Sequence, residues 1–457
     1  MKKIVILLSM SVFIVLFTMC NKAGIFDENG YDERLSGGAA TIFDETSHAF
    51  THAVDGLSKR DAQVHDLGDK TFEQTFVSNP APIHGGLGPV FNNVSCISCH
   101  HNDGKGTPTA GYSTSSLLFR ISVEGKDIHG GPVAANGFGL QLQDQALVGT
   151  KPEAQININY TNMPVTYPDG NVVTLRQPTY TLYNPYTPLP TSYMISPRLA
   201  PPVFGGGLLE NIPEETIRSF VDANDNNKDG ITGKANYVYN PFTQKMELGR
   251  FGLKANTSTL QVQVSAAFQQ DMGITSYVFP QEASYGQQQT ANMKPNKDIP
   301  DSSLDATIFY VKTLAVPARR NTVDVEVKSG QQLFTKINCT GCHKPTVQTG
   351  INLNLPALSN QRIHPYTDLL VHDMGSGLSD GRPDFLASGN EWRTMPLWGI
   401  GLFSKTNGTP YYLHDGRATT IEQAILWHGG EAENSKKAFM NLSKDDRSKL
   451  LKFMQSL

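Results

Sequence analysis

Two short segments of the chain share one arrangement, in which two cysteines separated by two residues are followed directly by a histidine. These are Cys96, Cys99 and His100, and Cys339, Cys342 and His343. Thiols at this spacing can form thioethers with the two vinyl groups of one porphyrin, and the adjacent histidine then reaches the iron as an axial ligand. The alternative is a redox or zinc site with an incidental histidine. Because the two motifs use four of the five cysteines, the sequence predicts two covalently bound c-type haems.

The chemistry of each iron depends on the ligand opposite its motif histidine. An iron with two strong axial side chains transfers electrons, whereas an open face can bind peroxide. For the His343 haem we predict His428 as the distal ligand, because it follows a predicted helix downstream of the motif. Its rivals are His372, Met374 and His414. The candidates on the His100 haem are His84, His101, His129, Met272 and an open site.

An acidic segment between the two motifs places oxygen ligands on alternate residues. Asp225, Asn227 and Asp229 precede a glycine, as in the opening half of an EF-hand-like calcium loop. The twelfth position of such a loop would be Asn236, where an EF-hand has a bidentate glutamate. A structural calcium site and a polar turn without metal therefore stay alternatives.

Composition limits the classes of partner. The formal net charge is −4 and charged residues make up 18% of the 457 residues, so no strongly basic surface indicates nucleic-acid binding. The content of 41 glycines and 27 prolines indicates many turns and irregular loops. A chain of this length can bury a sizeable core and is expected to divide into two or three domains.

The N-terminus has the features of an export signal. Lys2 and Lys3 precede a nearly continuous apolar run over residues 4–17, which is too short for a membrane-spanning helix. The run ends near Cys20, so we predict a lipoprotein signal peptide at residues 1–19 and lipidation of Cys20. Ordinary cleavage that leaves a free thiol is the alternative. The predicted location is the cell envelope, in the periplasm or at the outer membrane, with the lipid anchor in the membrane.

The pattern of side chains predicts mainly helices with one β-rich stretch. Helical spacing or capping residues indicate helices over residues 212–220, 302–314, 325–334, 420–427 and 444–457. Alternating apolar runs at residues 116–123, 155–160 and 171–175 indicate strands of an antiparallel insertion.

These elements lead to a prediction for the domains. The fold class is mainly α, with two cytochrome c-like haem domains and a small antiparallel β insertion in the first. We predict a tether and N-terminal cap at residues 20–70, the first haem domain at residues 71–320 and the second at residues 321–457.

The chain also resembles the di-haem oxidoreductases, a family of exported bacterial proteins that are also called thiol oxidoreductases. This family is related to the di-haem cytochrome c peroxidases and the MauG proteins. The matching stretches cover most of the mature chain: residues 86–92, 198–205, 249–252, 271–275, 313–320, 368–375, 398–401, 412–417 and 427–430.

The resemblance implies roles for several residues. Residues 412–416 resemble a segment of the peroxidases that lies about a dozen residues before the ligand capping the C-terminal haem, which here falls on or next to His428. Asp271, Met272 and Gly273 resemble a Glu-Met-Gly segment on the peroxidatic side, which makes Asp271 the candidate acid/base. A structural salt bridge or a helix cap is the alternative role of Asp271.

The expected activity is reduction of hydrogen peroxide at the His100 haem. Electrons would come from a soluble donor, such as a small cytochrome, through the His343 haem. Oxidation of a thiol, a sulfur compound or a protein side chain by the haem pair is one alternative. A plain electron carrier without a substrate site is the other.

Overall fold

The computed structural model of the protein describes residues 30–291 and 297–457. The predicted signal peptide and Cys20 lie outside these residues. Within them, none of the helices combines the length and the apolar character needed to span a bilayer.

Eleven α-helices form in the described part of the chain: α1 Lys59–Glu73, α2 Cys96–Cys99, α3 Gly206–Glu210, α4 Glu214–Arg218, α5 Leu260–Met272, α6 Asp301–Thr313, α7 Val325–Lys336, α8 Phe403–Asn407, α9 Ile421–Trp427, α10 Glu433–Met440 and α11 Lys444–Ser456. The helices expected at residues 302–314, 325–334, 420–427 and 444–457 are α6, α7, α9 and α11. The helix expected at residues 212–220 is only the five-residue α4. Hydroxyls of Ser58, Thr259 and Thr420 accept hydrogen bonds from backbone amides three residues on, which fixes where α1, α5 and α9 begin.

The strands are mostly short: β1 Thr41–Ile42, β2 Val90–Phe91, β3 Leu117–Ser122, β4 Gln141–Leu142, β5 Gln145–Ala146, β6 Gln155–Thr166, β7 Val172–Tyr183, β8 Met194–Leu199, β9 Tyr237–Asn240, β10 Lys245–Leu248, β11 Val316–Pro317, β12 Val347–Gln348, β13 Arg362–Ile363, β14 Val371–Asp373 and β15 Glu391–Arg393. Among the described residues they pair as a three-stranded sheet in the order β4-β3-β8 and as the two-stranded sheets β1-β11, β2-β5, β6-β7, β9-β10, β12-β13 and β14-β15. All of these pairs are antiparallel except β1 with β11.

The expected β insertion is present and is larger than the sequence pattern indicated. Strands β6 and β7 form a hairpin of twelve paired residues on each side, with Gln155 opposite Tyr183 and Thr166 opposite Val172. Helix accounts for 29% of the structure and strand for 18%. The expectation of a mainly α chain is therefore not confirmed, because long strands and irregular loops occupy positions between the helices.

The β6–β7 hairpin joins the insertion to the last third of the chain. The Tyr167 hydroxyl donates to the Glu422 carboxylate over 2.8 Å, and the Tyr180 hydroxyl donates to Asp415 over 2.9 Å. The amide of Gln423 donates to the Thr174 carbonyl over 2.9 Å. The insertion thus contacts helix α9 directly.

The main hydrophobic core crosses the predicted domain boundary at residues 320–321. It includes Phe50 near the N-terminal side, Phe268 in α5 and Phe453 in α11, all of which are buried. Strand β1 pairs with β11, so part of the predicted cap at residues 20–70 is packed into the fold. The boundaries of the two haem domains stay predictions.

Helices α7 and α11 pack closely at Gly330. A Cβ atom on Gly330 would lie 2.6 Å from the carbonyl carbon of Lys449 and 2.8 Å from Cβ of Phe453. In an exposed helix, replacing glycine by alanine stabilises by about 1 kcal/mol. Here the helices would have to separate, so we expect Gly330→Ala to lower the free energy of unfolding by ~1–3 kcal/mol.

Urea denaturation followed by circular dichroism measures this change. Gly350→Ala is the control, because its added Cβ would meet the Asn211 carbonyl oxygen at an ordinary 3.4 Å. If Gly330→Ala is more stable than the original protein, the two helices are not packed as described.

Candidate functional site

The two Cys-x-x-Cys-His motifs line one internal cavity of about 440 Å³. Its lining includes all six motif residues: Cys96, Cys99, His100, Cys339, Cys342 and His343. None of these four cysteines forms a disulfide bond. Burial raises the pKa of Cys96 and of Cys339 to about 12. The motifs are 243 residues apart in sequence, and the fold brings them to one cavity.

His100 directly follows helix α2, which begins at Ser95. The backbone amide of Ser98 donates to the Ser95 hydroxyl, which caps this single turn. The Nδ1 atom of His100 lies 2.7 Å from the Pro201 carbonyl oxygen. Burial lowers the pKa of His100 to about 4, so the ring is neutral. A neutral ring that donates from Nδ1 leaves the Nε2 lone pair free to bind a metal.

His343 and His428 have the same arrangement on the other side of the cavity. The Nδ1 atom of His343 lies 3.0 Å from the Tyr366 carbonyl oxygen, and that of His428 lies 2.7 Å from the Ala424 carbonyl oxygen. Burial is the main cause that lowers the pKa of His343 to about 4, and the nearby His428 adds to it. Two neutral imidazoles with free Nε2 atoms therefore line the same part of the cavity, as two axial ligands of one iron require.

The loop after His428 is held by the buried carboxylate of Glu431. This carboxylate accepts hydrogen bonds from the amide and the hydroxyl of Thr232, from the Asp373 amide and from His372, at 2.7–3.0 Å. Burial opposes ionisation, but these hydrogen bonds lower the pKa of Glu431 to about 2. Glu431 thus fixes the backbone three residues beyond His428.

The rivals of His428 have other surroundings. Both ring nitrogens of His372 are engaged, Nε2 with Asp368 over 2.9 Å and Nδ1 with Glu431 over 2.8 Å. Met374 and His414 line the cavity, and the His414 ring stacks on Trp392 with centroids 3.8 Å apart. That two carboxylates bind His372 is not visible in the sequence, because Asp368 and Glu431 are distant from each other along the chain.

The candidates for a distal ligand of the His100 haem are mostly remote from the cavity. His84 is exposed, His129 stacks on Tyr239 and His101 is not part of the lining. Met272 is the candidate that lines the cavity. Among the described residues, none of the three histidine candidates lines the cavity.

Asp271 lies at the end of α5 and is the one carboxylate among the described residues that line the cavity. Its Oδ1 atom accepts a hydrogen bond from the Gln141 amide over 2.6 Å. Burial raises the pKa of Asp271 to about 6, against the opposing effects of Gln141 and of Arg120. In the described part of the chain Asp271 forms no ion pair, so the salt-bridge alternative has no partner here. The other alternative, a helix cap, is met instead by Gly273, whose amide donates to the Gln269 carbonyl.

The three tryptophans are buried, as packing residues commonly are. Trp398 lies against Phe204, and Trp427 lies under the guanidinium of Arg417. Trp392 is held on one face by the Lys254 ammonium, 4.5 Å from the ring centroid, and on the other by His414.

The acidic loop at Asp225, Asn227 and Asp229 is closed by its own side chains. Asp225 accepts from the Gly230 amide over 3.1 Å, and Asp229 accepts from the Ile231 amide over 2.9 Å. No group of three or more acidic, histidine or cysteine side chains suited to a metal ion occurs in the described ranges. Calcium binding at this loop stays a prediction, and the hydrogen bonds are those of a polar turn.

Two positively charged side chains of the cavity, like the histidines, are suited to binding a haem. Lys105 and Arg393 are both buried and lack an ion-pair partner within the part of the chain that the structure describes. The Lys105 ammonium donates only to the Leu413 carbonyl, and Nη1 of Arg393 has no hydrogen-bond partner. Buried cations without counter-ions are costly. Each haem brings two propionate carboxylates, so these side chains would hold the anionic edges of the cofactors.

Comparison with known proteins agrees with this composition of the site. No curated protein matches the sequence. One solved structure that resembles the chain is described as a MauG-like protein associated with microbial copper homeostasis. It has 14% sequence identity and a TM-score of 0.28, and the match covers 56% of this chain and 90% of that one. Residues 31–457 match the profile of the family described as "Di-haem oxidoreductase, putative peroxidase". The chain therefore belongs to the di-haem oxidoreductase family.

Proposed function

We propose that the protein reduces hydrogen peroxide with electrons from a soluble donor such as a small cytochrome. Membership of a di-haem oxidoreductase family supports a redox enzyme with two haems. The proposal adds that both are c-type haems, bound through Cys96 and Cys99 and through Cys339 and Cys342. It also places the protein outside the cytoplasm, held to a membrane by a lipid on Cys20.

The observation that carries this proposal is the difference between the two ends of the cavity. Near His343, a second histidine with a free Nε2 is available, which favours an iron that only transfers electrons. Near His100, none of the three histidines considered as its distal ligand lines the cavity, and the charge of Asp271 raises the pKa of the Cys96 and Cys99 thiols. An open iron face beside a buried carboxylate is the arrangement that peroxide reduction needs.

The role of Asp271 follows from its environment. When bound, the haem supplies the iron that takes up peroxide and the electrons that break its O–O bond. Asp271 must be ionised to accept the proton of an incoming peroxide, and it then returns this proton to the departing oxygen. Gln141 holds one carboxylate oxygen, while the other forms no hydrogen bond in the described part of the protein. A pKa near 6 suits a group that both accepts and donates a proton near neutral pH.

We expect peroxide turnover to fall as the pH decreases below about 6, where Asp271 becomes protonated. Asp271→Asn should lower turnover about 100-fold or more, and the remaining rate should lose its inflection near pH 6. The measurement is steady-state oxidation of a reduced cytochrome by hydrogen peroxide between pH 4.5 and 8.

Glu282→Gln is the control for this experiment. Burial also raises the pKa of Glu282, to about 8, but its side chain is not part of the cavity lining. Glu282→Gln should keep turnover within about twofold of the original protein, well below the effect of losing an acid/base. Full turnover by Asp271→Asn would overturn the assignment of the acid, and no turnover of peroxide by the intact protein would overturn the proposed function.

A further inference from the structure

Arg120 is an interior arginine without a carboxylate partner. It lies in strand β3 and lines the cavity, where its Nη1 atom donates to the side-chain oxygen of Gln270. No ion pair of the described residues includes Arg120. By contrast, the guanidinium of Arg198 on the neighbouring strand β8 lies 2.6 Å from the carboxylate of Asp384. Burial lowers the pKa of Arg120 to about 10, so the side chain is still charged at neutral pH.

Side chains of strand β3 alternate between its two faces, and this places the charge of Arg120 in the cavity. Leu117, Phe119 and Ile121 belong to the small core of the insertion. Leu118 and Arg120 point to the opposite face and line the cavity. The strand therefore forms a wall between the insertion and the space beside the first motif.

Arg120 lies next to the groups already assigned to proton transfer. Its cross-strand partner in β4 is Gln141, whose amide donates to Asp271 over 2.6 Å. Side chains of directly paired residues share a face of the sheet. The charges of Arg120 and Asp271 influence each other although they form no ion pair. Arg120 and Asp271 thus both line the cavity, and Gln141 connects them through its strand pairing with one and its hydrogen bond to the other.

An unpaired buried cation destabilises a fold, since its lost hydration is not replaced by a counter-ion. A negative charge that develops in the cavity during a reaction would supply the missing partner. Preorganised donors directed at such a charge are among the strongest contributors to catalysis.

We propose that Arg120 is a second catalytic residue of this cavity, which stabilises the negative charge on the departing oxygen while the O–O bond of a peroxide breaks. This inference rests on the proposed function. Asp271 takes the proton from the inner oxygen of the peroxide and gives it to the outer oxygen, which leaves as water. Two electrons from the reduced donor and two protons from solvent complete the conversion of one peroxide to two waters.

The test compares Arg120→Gln and Arg120→Lys with Arg60→Gln, which removes an exposed charge on helix α1. We expect Arg120→Gln to lower kcat/KM for hydrogen peroxide about 100-fold and Arg120→Lys to recover part of it. Azide, an anion that binds open haem iron, should bind Arg120→Gln at least about tenfold more weakly by optical titration. The urea midpoint of Arg120→Gln should stay the same or rise, because a half-buried charge without a carboxylate partner is removed.

Four other results would overturn the inference. A lowered urea midpoint with unchanged peroxide kinetics would make Arg120 a structural residue. A loss of bound haem, measured as the iron content per chain, would make it an anchor of the cofactor. If Arg120→Gln keeps full turnover while Asp271→Asn loses it, this inference fails and the proposed function stands. If both variants keep full turnover, the assignment of Asp271 as the acid fails as well, whereas the proposed function itself fails only if the intact protein does not turn over peroxide.

Discussion

Replacing both Cys339 and Cys342 by alanine is expected to leave one covalently bound haem per chain in place of two. Turnover that depends on the external donor should fall to background, because electrons would no longer reach the His100 haem through the second site. Mass spectrometry of the intact protein measures the haem count, and cytochrome oxidation by peroxide measures turnover.

The matched control is Cys20→Ala, which removes the fifth cysteine and should keep two haems. The double variant also isolates the optical spectrum of the His100 haem, which should be high-spin if its distal face is open. Two haems in the double variant would show that Cys339 and Cys342 do not attach a cofactor.

The burial of the motif thiols adds a condition on how haem attachment occurs. Burial raises the pKa of Cys96 and of Cys339 to about 12, and protonated thiols are poor nucleophiles. Both cysteines line the cavity that the fold assembles from distant parts of the chain. The thioethers should therefore form before the chain closes around the cavity, with the haems as part of the core that completes folding.

The sequence predicted the local features of the site well. The two motifs, the helix α9 before His428 and the strand β3 of the insertion all depend on short-range spacing, which a sequence displays directly. Asp271 came from a resemblance to a segment of related peroxidases, and the structure places it in the cavity with both motifs.

Contacts between distant segments could not be predicted in this way. The alternation of β3 was visible, but the sequence did not show that its polar side would face the haem motifs. The role of Arg120 therefore cannot be predicted from the sequence, since a single arginine in a strand resembles a surface residue until its neighbours are known. The same limit applies to Glu431, whose partners Thr232 and His372 come from two other regions of the chain.

The expectation of a mainly α fold is not confirmed, for a related reason. Helical periodicity identified α6, α7, α9 and α11, but the pairing of β6 with β7 over twelve residues depends on a turn and on contacts with α9. Cross-strand pairing and packing decide such strands more than local propensity does. The hairpin also ties the insertion to the helix that precedes His428, so the part of the chain least apparent in the sequence supports the second haem site.

Replacing His428 by alanine is expected to convert the His343 haem from a low-spin to a high-spin state. The Ala424 carbonyl fixes the ring through Nδ1, and Glu431 fixes the following loop, so the His428 ring is held in place as a ligand. Added imidazole should restore the low-spin spectrum by filling the space of the lost ring.

Met374→Leu, which keeps the volume of a rival ligand that also lines the cavity, should leave the spectrum unchanged. Optical and EPR spectra of the oxidised and half-reduced protein distinguish these cases. If Met374→Leu and not His428→Ala changes the spectrum, the second haem has a His/Met iron. Its reduction potential should then be higher than that of a haem with His343 and His428 as its two ligands.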